Sequence, residues 1–201
     1  MHYKAIDIVL LPEVETKQTI IEIHKKLDIG KEIQKIDIAD KCLPHISLAM
    51  GGLKEKDAED LFDITSHIGK EIKNINLAFT HISQHQNSKG ENINSLEHMQ
   101  STALSFLHEK LIEQTRKILV NKVDSSSFSG EENVTQDSIN WVNDYFTTHS
   151  LENFNPHITL GTGSFTEKFK QFNATFKRLA ICHLGNYCTC RTILFETQLA
   201  N

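Results

Sequence analysis

The chain is poor in the residues that staple or interrupt a fold. Its 201 residues include three prolines, one tryptophan and four cysteines. No run approaches the roughly 20 apolar residues that a bilayer-spanning helix needs, so no membrane span is expected. No secretory leader is expected either, because Asp7 interrupts the apolar stretch of Met1-His2-Tyr3-Lys4-Ala5-Ile6-Asp7. A cytoplasmic protein with reduced thiols follows as the expectation. Cys42, Cys182, Cys188 and Cys190 include no Cys-x-x-Cys pair and read as small buried residues. Without His-Glu-x-x-His or a comparable ligand cluster, a metal hydrolase is unsupported, and neither metal nor cofactor is expected. Positive charge is also scarce. A net charge of −5 and a pI near 6.1 argue against binding along a nucleic-acid duplex, yet leave room for a small nucleotide or an RNA end.

What remains is an ordinary globular composition, 39% hydrophobic and 23% charged. No linker or low-complexity segment divides it, and residues 1–201 read as one domain. Alternation predicts strands over 3–11, 44–48, 75–84, 92–96, 174–184 and 188–198. Helical spacing predicts helices over 13–27, 54–72, 102–120 and 135–148, the last capped by Thr135 with Ile139, Val142 and Phe146 inward. Gly51-Gly52 is expected to close its strand, 124–133 to be a mobile loop, and 165–172 a short helix or turn. Gly185-Asn186 is expected to turn the last hairpin. This order is an α+β pattern of antiparallel sheet with helices on one face.

Two stretches dominate the reading. Pro44-His45-Ile46-Ser47-Leu48 and Pro156-His157-Ile158-Thr159-Leu160 are one phrase written twice, each followed closely by a glycine (Gly51, Gly161). With period two, His45 and Ser47 share one face of a strand and Ile46 and Leu48 the other; the same holds for His157 and Thr159 against Ile158 and Leu160. Proline suits the first position of a strand, where no ladder donor is needed. The two histidines lie about 110 positions apart, roughly the size of a small folded unit, which suggests two lobes with a site between them. His81-Ile82-Ser83 lacks the flanking proline, leucine and glycine, so the bare triplet alone carries little.

The chemistry of the pair follows from histidine's near-neutral pKa: one imidazole can take a proton while the other gives one. Placed on opposite sides of a phosphorus, they would serve an in-line displacement. Ser47 and Thr159 would then donate hydrogen bonds to the non-bridging oxygens. Tyr3, Phe154, Trp141 and Tyr145 are candidates to stack on a base, with Trp141 and Tyr145 better suited to the core. Arg191 and Lys41 are candidates to meet a phosphate, with Lys41 better suited to surface; His81 and His85 read as incidental surface.

On these two motifs, Pro44–Leu48 and Pro156–Gly161, the chain resembles the 2H phosphoesterase superfamily, within it the bacterial 2'-5' RNA ligase and cyclic-phosphodiesterase branch. The resemblance extends from the first strand to the last hairpin. It implies a bilobal, pseudo-twofold α+β fold of two antiparallel β-sheets with helices on the outer faces, and a cleft carrying both motifs. It further implies metal-independent cleavage or formation of a phosphodiester at a ribose 2' oxygen. The partners implied are nucleotides or RNA termini bearing a 2',3'-cyclic phosphate or a 2'-5' linkage. An alternative is a nucleotide-binding or RNA-end-binding module on the same fold without turnover.

Overall fold

The computed structural model describes residues 2–130 and 133–201. Strand β1 (Lys4–Pro12) is buried at every residue after Lys4, as its nearly continuous apolar run requires of a strand covered on both faces. It leads into α1 (Val14–His24), then β2 (Ile46–Leu53), α2 (Ala58–Glu71) and the hairpin of β3 (Ile75–Gln86) and β4 (Asn92–His98). The chain continues through α3 (Thr102–Thr115), α4 (Gln136–Thr148), β5 (Ile158–Thr162), β6 (Phe172–Gly185) and β7 (Thr189–Gln198). No helix among the described residues is long and apolar enough to cross a membrane.

All strand pairs are antiparallel, in the order β2-β1-β6-β3-β4-β5, with β7 also on β6. The long β6 is the joint. One of its edges pairs with β1 over Phe176–His183. The other pairs first with β3, over Phe172–Phe176, and then with β7, over Arg178–Gly185. The two expected sheets are therefore joined through β6 into one seven-stranded ladder, because a single strand serves both halves. Helices α3 and α4 pack on β2, α2 on β7, and α1 reaches β5.

Several boundaries differ from expectation. Gly51 and Gly52 do not end β2, which runs on to Leu53. Their missing side chains admit another segment instead: Gly52 and Val120 exchange backbone hydrogen bonds of 2.7 and 3.0 Å. A Cβ on Gly51 would lie 2.8 Å from that of Leu119. The same bridge draws the chain out of α3 after Thr115, so the helix expected to reach residue 120 is shorter. Residues 165–171 form no helix. The polar stretch 124–133 holds a short 3-10 turn at Ser125–Ser127 with Ser127 and Phe128 buried, while Glu131 and Glu132 lie outside the described residues.

Candidate active site

The two motif strands, β2 and β5, are the two ends of the path through the sheet. A terminal strand tolerates Pro44 and Pro156, which offer no ladder donor. The alternation read from sequence is present: Ile46, Leu48, Ile158 and Leu160 are wholly buried, whereas His45, Ser47, His157 and Thr159 are half-buried. Each strand then bulges at the same place. Val9 pairs with Ser47 and Ile8 with Ala49, leaving Leu48 as the extra residue. Ser95 pairs with Thr159 and Asn94 with Gly161, leaving Leu160 extra. A bulge breaks the ladder locally, so the extra residue's carbonyl needs another donor.

A buried histidine meets that need in each half. His108 of α3 donates from Nδ1 to the Leu48 carbonyl at 2.7 Å, and His24 of α1 donates from Nδ1 to the Leu160 carbonyl at 2.7 Å. His108 also accepts from the Leu151 amide through Nε2 at 2.8 Å and stacks flat on Phe154, with centroids 3.7 Å apart. It thus ties the first motif to the turn that leads into the second. Sequence reasoning missed both histidines; each sits on a helix, and nothing local marks its partner in a distant strand.

The motif histidines are held alike. His45 Nδ1 lies 2.7 Å from the Leu43 carbonyl and His157 Nδ1 2.9 Å from that of Asn155, two residues back in each case. A carbonyl only accepts, so both Nδ1 atoms carry the proton and Nε2 is the nitrogen left for chemistry. Burial pushes the His45 imidazole down to about 4, opposed by the Leu43 carbonyl and reinforced by the nearby His157. Burial also lowers His157, with the Asn155 carbonyl and Glu97 pulling it back up. Both rings are therefore neutral at pH 7 before a ligand arrives.

His45, Ser47, His157 and Thr159 all line one cavity of about 800 Å³. Phe154 lines it too. Of the remaining candidates, Tyr3 is not among the lining residues and lies beneath Lys54, whose Nζ is 5.8 Å from its ring centroid. Arg191 stands behind the wall, donating from Nε to Thr189 Oγ1 at 2.9 Å and from Nη1 to the Lys41 carbonyl at 3.3 Å. Lys41 is exposed and His81 also lies outside the lining, but His85, read as incidental surface, is part of it. Trp141, read as better suited to the core, is 42% exposed; it stacks on His149 at 3.7 Å, and both face the cavity. Met50 joins them because the bulge at Leu48 shifts the alternation by one residue.

One group breaks the symmetry. Asp7 of β1 is wholly buried, and its Oδ2 lies 3.8 Å from His45 Nε2. In the ladder Asp7 is paired with Met50, where the second half pairs Ile93 with Thr162. The aspartate thus has an isoleucine as its counterpart. Burial holds its carboxyl well above the usual carboxylate range; Ser47 and the Leu48 and Ala49 amides pull it the other way, but none closes a hydrogen bond to it. One donor atom each from Asp7, His45 and Cys190 lies within 4.8 Å of the others. Among the described residues the four cysteines form no disulfide, and Cys42, Cys182 and Cys190 are buried.

Solved structures share this arrangement of strands and helices along the whole chain. Escherichia coli LigT in complex with 3'-AMP superposes with a TM-score of 0.62 at 16% identity over 100% of both chains. A protein described as a phosphoesterase gives 0.60 at 15% identity, again over 100% of both. TT0787 of Thermus thermophilus gives 0.63 at 12% identity over 97% of each. The fold is the one that LigT and the protein described as a phosphoesterase share. No protein-family model matches the sequence, and no curated protein matches it either. At such identities the likeness speaks to the fold alone.

Proposed function

We propose that this protein is a phosphoesterase that opens 2',3'-cyclic phosphates or cleaves 2'-5' phosphodiesters on nucleotides or RNA ends, using His45 and His157 as general base and general acid. The observation that carries the reading is that two His-x-Ser/Thr motifs from opposite ends of the sheet line one cavity, each imidazole anchored through Nδ1. In the hydrolytic direction water attacks phosphorus and gives its proton to one Nε2. The bond from phosphorus to the departing ribose oxygen breaks, and that oxygen takes a proton from the other Nε2. Solvent exchange restores both rings. Ser47 and Thr159 donate to the non-bridging oxygens, where charge builds. No step needs a metal. Ligation is the related step in which a 5' hydroxyl takes the place of water: it attacks the phosphorus of a 2',3'-cyclic phosphate and gives its proton to one Nε2, while the 3' oxygen departs with a proton from the other and leaves a 2'-5' linkage.

The surroundings favour His45 as base and His157 as acid. Burial holds His45 neutral down to about pH 4; burial and the nearby His85 and His98 lower His157 as well, but there the carboxylate of Glu97 opposes the shift, an opposition that His45 lacks. The stacked Trp141 and His149 offer a flat apolar face for a base, which any nucleobase can use. LigT has been captured with 3'-AMP and with ATP, which is consistent with a nucleotide in a cavity of this kind.

The test is a panel of 2',3'-cyclic nucleotides, 3',5'-cyclic nucleotides and 2'-5' dinucleotides, read for product identity with chelator present. Turnover of the 2',3'-cyclic or 2'-5' substrates is expected. His45→Ala or His157→Ala should each lower it by about 10²–10⁴-fold, the usual worth of a general acid or base. With His45 as neutral base and His157 as protonated acid, kcat/KM should peak on the acid side of pH 6.5 and fall as His157 loses its proton. Undiminished turnover in either variant would sink the reading. Tight nucleotide binding without product would favour a binding module instead.

A further inference from the structure

Behind His45 the fold brings together donors that the proposed phosphoryl chemistry does not use. Asp7 arrives on β1, paired with β2. Cys190 arrives at the start of β7, held beside the motif because the Leu43 amide donates to the Cys190 carbonyl at 2.9 Å. Both side chains are wholly buried; the Ser47 hydroxyl and the Leu48 and Ala49 amides approach the Asp7 carboxyl without closing a hydrogen bond to either oxygen, and the Cys190 thiol lies against that of Cys182. A buried carboxyl left unpaired is costly unless something compensates it. With His45 they form a carboxylate, imidazole and thiol set whose donor atoms all lie within 4.8 Å of one another.

We propose that Asp7, His45 and Cys190 bind a thiophilic divalent cation, with Zn²⁺ the best match, and that its arrival silences His45. The mixed oxygen, nitrogen and sulfur set suits zinc better than a hard cation. One thiolate and one carboxylate neutralise a 2+ ion, which is the cheapest charge state for a buried cluster. His45 is already oriented for it, since Nδ1 is bonded to the Leu43 carbonyl and Nε2 is the atom nearest Asp7. The donors need to close by about 1 Å to reach zinc–ligand lengths of ~2.0–2.3 Å. Binding releases the Asp7 and Cys190 protons and occupies the Nε2 lone pair that His45 needs as a base. The fourth position is left to water or a phosphate oxygen from the cavity that His45 lines. Because Ile93 stands at the position equivalent to Asp7, no such site forms around His157.

Binding does not depend on the phosphoesterase reading; only the inhibition rests on it. Reduced, chelator-washed protein titrated with Co²⁺ should show thiolate-to-cobalt absorption saturating at one equivalent, displaced by Zn²⁺. Cys190→Ala should abolish that absorption and Asp7→Asn should weaken binding by more than about tenfold, while Cys188→Ala should leave both intact. Zinc-edge X-ray absorption on the wild-type protein should find one sulfur neighbour, which keeps the test independent of how well the variants fold. One equivalent of Zn²⁺ should stop turnover reversibly in the wild type but not in Cys190→Ala. A wild-type protein with no cobalt–thiolate band, a zinc site without sulfur, or equal affinity in Cys190→Ala would overturn the site. Saturable binding with unchanged turnover would overturn the inhibition alone.

Discussion

Asp7 shows how much one buried carboxyl can alter a site. Its pKa is raised by burial, so the folded protein keeps the proton that the unfolded chain releases above about pH 3.8. Each step in pH from 3.8 up to the folded value therefore favours unfolding. Asp7→Asn keeps the shape and removes the titration. Thermal melts of metal-free protein should show the variant more stable at pH 7, with the gain fading as the pH falls toward 3.8. No gain at pH 7 would mean that Asp7 is ionised and adequately held by its neighbours. In the sequence Asp7 is visible only as an interruption of an apolar run. Its role depends on β1 lying beside β2, which no local pattern encodes. The motif residues are the opposite case, since the alternation of His45 with Ile46 and of Ser47 with Leu48 already assigns their faces.

The element that matters most is the bulged motif strand with its histidine brace. His108 donates to Leu48, accepts from Leu151 and stacks on Phe154. His108→Ala should leave two buried backbone groups without partners and open a void, at a cost of about 3 kcal/mol in urea denaturation. Because the brace reaches both motifs, kcat should drop with little change in KM if it positions the catalytic rings. A stability loss with kcat intact would make it a packing residue only. Helix positions were legible because amphipathic spacing is local: Leu104, Leu107 and Leu111 form the buried stripe of α3 as expected. The bulges were not, since a bulge is a property of two strands together.

At the scale of the molecule, β6 pairs with β1, β7 and β3 and so belongs to both halves of the sheet. Neither half completes its hydrogen bonds without it. Urea unfolding followed by circular dichroism and by Trp141 fluorescence should give one coincident transition; two separable ones would show lobes that fold independently. In Asp7→Asn, which lacks the opposing titration of Asp7, the midpoint should also fall as the pH drops. Burial lowers His108 from 6.5 to about 4, so below pH 6.5 the unfolded chain takes up a proton that the folded one refuses. That shift is worth about 3 kcal/mol once fully developed near pH 4, and His45 acts in the same direction. A midpoint flat between pH 7 and 4.5 would contradict it.

The repeated proline–histidine–hydroxyl phrase, its two faces and the α+β order of elements were readable in the chain alone. Each rests on interactions between residues a few positions apart. Whether two lobes carry separate sheets, which helix braces which strand, and that Asp7 and Cys190 stand behind His45 but have no counterpart behind His157 were decided only by folding. Those features are pairings between segments far apart in sequence, and pairings of that kind leave no periodic trace along the chain.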